Sequence, residues 1–216
     1  MKRICLILIT LCLPLVLCGP VKAQHSGPYV GAFFGGDVLM PAKSTDNLGN
    51  FSLKFDPGML GSAVAGWDFA TGNPVGEGRI ELEFTRRKNP LNQVKFDEGS
   101  FKGSGKVTAD SLLLNFFGVL HDKTPWSPYA GVGIGVARME ASDLKVTGYP
   151  LASGSSVVFA YQLGTGVDFE LTDYLNLDLG YRFFGSTRPE FTEVNGRKFK
   201  MDYYSHNVIL GLRLGF

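Results

Sequence analysis

The sequence contains 216 residues, with 21 basic and 20 acidic side chains, and its length suits a single domain. A charge balance so close to neutral excludes the strongly basic face that nucleic-acid binding requires, so no nucleic-acid partner is expected. The 28 glycines and 17 phenylalanines favour many strands and turns over helices.

The first 23 residues have the pattern of a secretory signal peptide. Residues 1–3 are positively charged at two of three positions, and residues 4–17 form an apolar run that is too short for a transmembrane helix. Residues 21–23 place small side chains where a signal peptidase cuts. We therefore predict export through the Sec pathway, removal of residues 1–23, and one domain over residues 24–216.

All three cysteines, Cys5, Cys12 and Cys18, lie in the segment that is expected to be removed. The mature chain then has no thiol for a disulfide, a metal site or a nucleophile, and no cofactor is expected. Cleavage also leaves 18 of the 21 basic residues against 20 acidic ones. Stability must come from a packed core or from a closed sheet.

Beyond residue 24, apolar and polar side chains alternate with period two in blocks of about ten residues, which is the spacing of strands that cross a membrane. In the clearest block Ile80, Leu82 and Phe84 share one face, and charged or polar side chains share the other. The same rule predicts eight strands, near residues 28–40, 51–69, 78–88, 106–120, 128–139, 156–171, 174–185 and 201–216.

The predicted connections alternate in length. Short links follow the second, fourth and sixth strands, at residues 70–75, 121–127 and 172–173. Long segments rich in Gly, Ser and Lys follow the odd strands, near residues 41–50, 89–105, 140–155 and 186–200. Short periplasmic turns and long outer loops are typical of outer-membrane barrels. The sequence therefore predicts an all-β fold, an eight-stranded antiparallel up-and-down transmembrane β-barrel with four long extracellular loops, in the cell outer membrane.

A soluble barrel of the lipocalin type would show the same alternation with its faces exchanged. A membrane barrel is favoured because one face of several strands combines opposite charges with glycines, whereas the other face is almost uniformly apolar. A buried charge is tolerated only when it is paired, so each arginine on the polar face is expected to contact a carboxylate. The predicted lumen charge network consists of Arg79, Glu81, Glu83, Asp168, Asp178, Arg182 and Arg213.

Residues 208–216 contain a glycine, two further residues and then alternating hydrophobic residues that end on an aromatic one, and they resemble the C-terminal assembly signal of bacterial outer-membrane barrels. The positions that carry this resemblance are Gly211, Leu214 and Phe216. The resemblance implies recognition by the barrel assembly machinery. Residues 27–32 and 128–135 resemble strands of the small OmpA-like and Opa-like outer membrane β-barrel family. That family is a scaffold with variable loops, so the resemblance implies a fold but no single function.

Four basic residues are expected to face outward at the loop end of their strands: Arg86, Lys88, Lys106 and Arg138. Cations just beyond the hydrocarbon layer can pair with lipopolysaccharide phosphates, and arginine does so with two hydrogen bonds. A simple solvated rim explains them equally well. Outer-membrane lipid and lipopolysaccharide are the expected partners.

Three functions remain open. A non-enzymatic barrel with an envelope-structural or adhesive role, whose loops contact a ligand outside the cell, is favoured. A pore of the porin kind is second. It would be narrow and of low conductance, because eight strands enclose little more than side chains. A lipid A-modifying enzyme is third. Its candidates, Ser205 and His206, are adjacent and point to opposite faces of a strand, and His25 and His121 are expected in solvent. We therefore predict no catalytic residue and no metal site.

Overall fold

The computed structural model describes residues 26–45, 50–69, 77–97, 99–120, 124–194 and 196–216. The predicted signal peptide, the link at residues 70–75, His25 and His121 lie outside these ranges. Within them the fold is all-β and antiparallel, as predicted. The described ranges contain no helix that is long and apolar enough to cross a membrane.

Twelve strands of the described residues form one sheet. The long strands are β1 (Gly27–Leu39), β4 (Gly58–Phe69), β5 (Glu77–Phe96), β6 (Gly99–Val119), β7 (Trp126–Val146), β8 (Tyr149–Thr172), β9 (Leu175–Ser186) and β12 (Tyr204–Gly215). The short strands are β2 (Ala42–Thr45), β3 (Asn50–Phe55), β10 (Glu190–Glu193) and β11 (Lys198–Met201).

The pairings close the sheet at two levels. In the lower tier, the end that contains Gly27 and Phe216, pairing runs from β1 through β4, β5, β6, β7, β8, β9 and β12 back to β1. In the upper tier β5 to β8 continue, and β3, β2, β11 and β10 bridge from β5 back to β8. Because the sheet closes, the edge strands of the described residues are paired, and their backbone N–H and C=O groups are not left open to pairing with another chain.

The described parts of the segments predicted as long loops are largely strand. Residues 89–96 and 99–105 continue the β5–β6 ladder, and β7 and β8 are joined by a tight turn at Thr147 and Gly148. Thr147 has φ 51° and Gly148 has φ 86°, so this turn uses the left-handed region of backbone conformation. The upper tier is therefore a β-structured extension of the barrel.

The interior changes from polar to apolar between the tiers. Polar and charged side chains are buried among the large apolar residues of the lower tier, whereas the upper tier contains a continuous hydrophobic core. We call this core the apolar plug. Its larger members include Leu39, Leu53, Leu91, Val94, Val107, Leu113, Met139, Leu144, Phe184, Phe191, Phe199, Met201 and Tyr203.

The outer surface changes from apolar in the lower tier to polar and charged in the upper tier. From Trp126 to Val136 on β7 every outward side chain is apolar, and the next outward residues are Arg138, Glu140 and Ser142. Ten residues span about 33 Å of strand, and a tilt of about 40° reduces this to a height of about 25 Å, as in outer-membrane barrels. We call this surface the apolar belt. Its exposed members include Val30, Phe34, Trp67, Phe69, Leu82, Phe84, Leu112, Leu114, Phe116, Ile134, Phe159, Leu179, Leu210, Leu212 and Phe216.

Candidate functional site

Arg79 lies in an ion-pair network inside the lower tier. Its Nε donates to Asp68 Oδ1 at 2.8 Å, and its Nη2 donates to Asp168 Oδ2 at 2.7 Å. Arg213 forms an ion pair with the same Asp168, and its Nε lies 3.5 Å from Asp178 Oδ2. Arg79, Arg213, Asp168 and Asp178 are buried. Pairing the buried arginines with the buried aspartates offsets the free-energy cost of removing these charges from water.

Two tyrosines extend this network. The Tyr29 hydroxyl donates to Glu81 Oε2 and the Tyr129 hydroxyl donates to Asp178 Oδ1, each at 2.8 Å. The guanidinium carbon of Arg79 lies 5.7 Å from the Tyr29 ring centroid and 5.3 Å from that of Tyr129. Arg79 therefore gains cation–π contacts with both rings in addition to its ion pairs.

Glycines make room for these rings. A Cβ atom at Gly66 would collide with the ring of Tyr29, and one at Gly166 would collide with the hydroxyl end of Tyr129. Each glycine is the register partner of its tyrosine on the neighbouring strand, and a narrow barrel that contains large polar side chains needs such positions. The inward glycines are thus part of how the lumen is filled.

Glu83 is held mainly by neutral donors. Asn115 Nδ2 donates to Glu83 Oε2 at 2.8 Å and to Glu81 Oε1 at 3.3 Å. Gln162 Nε2 donates to the same Glu83 oxygen at 3.1 Å, and the Thr85 hydroxyl donates to Glu83 Oε1 at 2.7 Å. These contacts connect β5, β6 and β8 across the interior.

Arg182 differs from the expectation that each lumen arginine contacts a carboxylate. Its Nη1 donates to the backbone oxygens of Thr165 and Tyr181, each at 3.3 Å. Its guanidinium carbon lies 4.9 Å from the ring centroid of Phe117 and 5.2 Å from that of Tyr129. Within the described ranges Arg182 has no ion pair, so aromatic faces and carbonyl groups solvate its charge.

Arg87 is an interior arginine that the sequence analysis missed. Its Nη1 donates to Ser111 Oγ at 2.8 Å, and its Nε donates to Asn207 Oδ1 at 3.2 Å. Its guanidinium carbon lies 4.1 Å from the centroid of Phe184, a plug residue. Arg87 has the same strand parity as Arg79, and this parity was the signal that could have identified it.

The apolar plug begins directly above Arg87. Phe184 and Tyr203 meet edge to face with ring centroids 5.9 Å apart, and both are fully buried. Phe199 and Met201 on β11 are likewise fully buried. A polar column that ends under packed apolar side chains opposes the passage of ions.

The predicted rim cations lie together on the outer face. Arg86, Lys88, Lys106 and Arg138 all project outward and are exposed, in the first rows above the apolar belt. Arg86 makes two hydrogen bonds to Asp110, at 2.6 and 2.8 Å. Asp110 is the register partner of both Arg86 and Arg138. A carboxylate therefore lies between two arginines.

The outer surface of the upper tier mixes charges with exposed apolar side chains. Phe101, Tyr149 and Val194 are exposed near its tips. Lys198 Nζ lies 2.8 Å from Glu190 Oε1, and this hydrogen bond lowers the pKa of the glutamate and raises the pKa of the lysine. Such a surface can contact a partner through apolar anchors with charged surroundings.

Ser205 and His206 occupy opposite faces of β12. Ser205 is fully buried in the interior, whereas His206 is exposed and its Nδ1 lies 2.6 Å from the Tyr181 hydroxyl on the outer face. These two residues cannot form a nucleophile and base pair. Among the described residues, no group of three His, Cys, Asp or Glu side chains is placed to hold a metal ion.

The C-terminal strand closes the lower ring. Gly211 is the register partner of Phe33, and a side chain at Gly211 would collide with the Phe33 ring. Leu214 and Phe216 face outward in the apolar belt. The backbone N–H of Phe216 donates to the Pro28 oxygen at 3.1 Å, which ties the last residue to the first strand.

The family model described as surface antigen matches residues 101–208, which is half of the chain. A Rickettsia conorii protein named "Putative adhesin RC1281" is 32% identical over 129 residues, covering 54% of this chain and 52% of that protein. Outer membrane protein PagN of Salmonella typhimurium is 26% identical over 149 residues, covering 63% of this chain and 61% of PagN. The chain thus spans about half the length of the curated relatives it matches.

Two solved structures share the fold. Neisserial surface protein A has a TM-score of 0.56 with 22% identity, over 88% of this chain and 98% of that one. OprG from Pseudomonas aeruginosa has a TM-score of 0.53 with 13% identity, over 90% of this chain and 100% of OprG. The fold is that of an outer-membrane β-barrel, and the relatives are outer-membrane and surface proteins. The narrower OmpA-like and Opa-like grouping stays a prediction.

Proposed function

Because the chain belongs to the surface antigen family, we propose that it is a non-enzymatic outer-membrane protein that makes adhesive or other surface contacts. In this proposal the eight long strands cross the membrane in the lower tier. The upper tier stands outside the cell and carries the contact surface, and the short connections face the periplasm.

The reversal of polarity between the tiers carries this proposal. On β5 the inward residues change from Glu83 and Arg87 to Leu91, while the outward residues change from Phe84 to Lys88. An apolar exterior suits lipid, whereas an apolar core with a polar exterior suits water. In this proposal the outer surface of the bilayer lies where the outward side chains of β5 change from apolar to charged.

The upper-tier tips are the proposed contact surface. Phe101, Tyr149 and Val194 are exposed there, and aromatic side chains supply large contact area at low cost in conformational entropy. The rickettsial relative that is named as an adhesin supports an adhesive form of the role. The separation of Ser205 from His206 supports a non-enzymatic one.

Orientation is tested by labelling single cysteines on intact cells, because the chain beyond residue 23 contains no cysteine. Lys95→Cys in the upper tier should react with a membrane-impermeant maleimide on intact cells. Asp173→Cys, in the short turn after β8, should react only after the outer membrane is permeabilised. The reverse labelling pattern would place the upper tier in the periplasm and reject the proposal.

Adhesion is tested by expressing the full chain in a non-adherent bacterial strain and counting cells bound to cultured epithelial monolayers. The Phe101→Ala/Tyr149→Ala variant should bind several-fold fewer cells than the unchanged protein. Tyr174→Ala, which removes an exposed aromatic side chain from the opposite end, serves as the matched control. No gain in binding over the empty strain would reject the adhesive role.

A further inference from the structure

We propose that the outer face of β5 to β8 holds a specific site for lipid A, the phosphorylated glucosamine lipid of the outer leaflet. This site is separate from the upper-tier tips, and it rests on the orientation proposed above. Three kinds of chemistry follow one another up this face, in the order acyl chain, phosphate and sugar.

The lowest row is apolar. Phe84, Leu112, Val136 and Phe159 are lateral neighbours on β5, β6, β7 and β8, and about half of each side chain is exposed. They form the last row of the apolar belt on β5, β6 and β7, whereas on β8 the exposed Val157 follows one outward position higher, opposite Arg138. A row of this kind offers contact area to the acyl chains nearest the headgroup.

The next row carries two arginines. Arg86 on β5 and Arg138 on β7 flank Asp110 on β6, so their Cα atoms are two strand spacings, about 10 Å, apart. The two hydrogen bonds to Asp110 use Arg86 Nε and Nη2, and among the described residues Nη1 has no hydrogen-bond partner, so it can donate to a ligand. Asp110 thus fixes the direction of one guanidinium beside a second one. Paired guanidinium groups match the geometry of phosphate oxygens.

Two lysines complete the cationic cluster. Lys88 lies one outward position above Arg86, and Lys106 lies opposite Pro90 in the next row. Within the described ranges neither lysine forms an ion pair. Together with the arginines they give four cations against the three carboxylates of Asp110, Glu140 and Asp143, so the cluster keeps a net positive charge.

A serine-lined groove lies above the cations. It is open to solvent, has a volume of about 450 Å³, and is lined by Arg138, Glu140, Ser142, Asp143, Ser153 and Ser155 among others. A shift of register in the β7–β8 ladder after Ala141, with Asp143 at φ 49°, shapes this groove. Hydroxyl and carboxylate groups are suitable partners for sugar hydroxyls.

The stacking of these layers distinguishes a lipid A site from a solvated rim. A rim that only needs solubility requires no arginine pair and no hydroxyl-lined groove directly above the apolar belt on neighbouring strands. Lipid A presents acyl chains, phosphates and sugar hydroxyls along the same direction. This face of the barrel is therefore complementary to the acyl chains, the phosphates and the sugar hydroxyls of lipid A, and its match does not rest on charge alone.

The test uses the mature chain folded in phosphatidylcholine nanodiscs, with bound lipid measured by native mass spectrometry. The probes are diphosphoryl lipid A, the same lipid without its phosphates, and phosphatidylglycerol. We expect diphosphoryl lipid A to be retained at least about tenfold better than either other probe. Lys88→Glu/Arg138→Glu should lower its retention at least about tenfold, which corresponds to about 1.4 kcal/mol.

The matched control is Lys95→Glu/Lys145→Glu, which makes the same charge change higher on β5 and β7. Lys95 lies seven residues beyond Lys88, about 23 Å along the strand. Unchanged retention by this control supports a local site. Equal losses in both variants, equal retention of phosphatidylglycerol, or no loss from the first variant would overturn it.

Folding is checked by the shift in gel mobility between boiled and unboiled samples. If the glutamate pair prevents folding, the neutral variant Lys88→Gln/Arg138→Gln takes its place, with the same expected direction. Failure of the orientation proposal is detected separately, because cysteine labelling reports on Lys95→Cys and Asp173→Cys and does not depend on lipid A.

Discussion

The guanidinium of Arg79 on β5 crosses the barrel interior to the carboxylate of Asp168 on β8, with Nη2 and Oδ2 2.7 Å apart. Asp168 also pairs with Arg213 on β12, so one carboxylate connects three strands. None of these strands is a direct neighbour of another in the ring of pairings. The network therefore stabilises the closed cross-section through its interior, in addition to the ladder hydrogen bonds.

Asp168→Ala is expected to destabilise the barrel by about 3 kcal/mol, because it leaves two buried arginines with fewer counter-charges. The measurement is the urea dependence of folding into lipid vesicles, followed by gel mobility. Asp97→Ala, which removes an exposed carboxylate in the upper tier, should change stability by less than about 0.5 kcal/mol. Equal effects of the two substitutions would mean that the buried network adds nothing to stability.

Gly66→Ala is expected to cost about 1–3 kcal/mol, because the added methyl group collides with the Tyr29 ring and overpacks the lumen. Gly61→Ala on the same strand has no atom within 4 Å of its new methyl group and should be close to neutral. Urea titration in vesicles compares the two variants. A neutral result at Gly66 would show that Tyr29 can move without loss.

Period two predicted which face of each strand points inward, because parity is a local property of an extended chain. It placed Arg79, Glu81 and Glu83 on the inner face, where the structure has them buried. The same parity places Arg87 on the inner face within the predicted strand 78–88, but Arg87 was not assigned to the predicted lumen network. Asn89, which is also buried, lies one residue beyond the predicted end of that strand.

The loop prediction failed for a different reason. Gly, Ser and Lys in residues 89–105 are typical of loops. The register shift between Pro90 and Gln93 also interrupts the period-two alternation, so the two inward residues Leu91 and Val94 are three positions apart and do not show the pattern of a strand. Pairing with β3 fixes this segment as strand. The partner of Arg182 was equally inaccessible, since contacts across a barrel depend on the stagger between strands.

Ile134→Arg on β7 is expected to cost about 2–4 kcal/mol, because it places a charge on the lipid side of the apolar belt. Ser142→Arg lies on the outer face of the same strand above the belt and should cost less than about 0.5 kcal/mol. Both are measured as folding free energies in vesicles. Similar costs for the two variants would place the membrane boundary elsewhere on β7.

The folded chain is expected to show no stepwise conductance in planar bilayers, because hydrogen-bonded side chains fill the lower tier and the apolar plug closes the interior above Arg87. Phe184→Ala/Tyr203→Ala removes two plug rings that meet at 5.9 Å, and it should allow brief openings at a cost of several kcal/mol in stability. The matched control is Phe159→Ala/Tyr181→Ala, which removes two aromatic rings from the outer face and should stay silent. Reproducible steps from the unchanged protein would contradict a sealed barrel and favour the narrow pore. Silence of the plug variant in its folded form would show that the polar interior alone blocks ions.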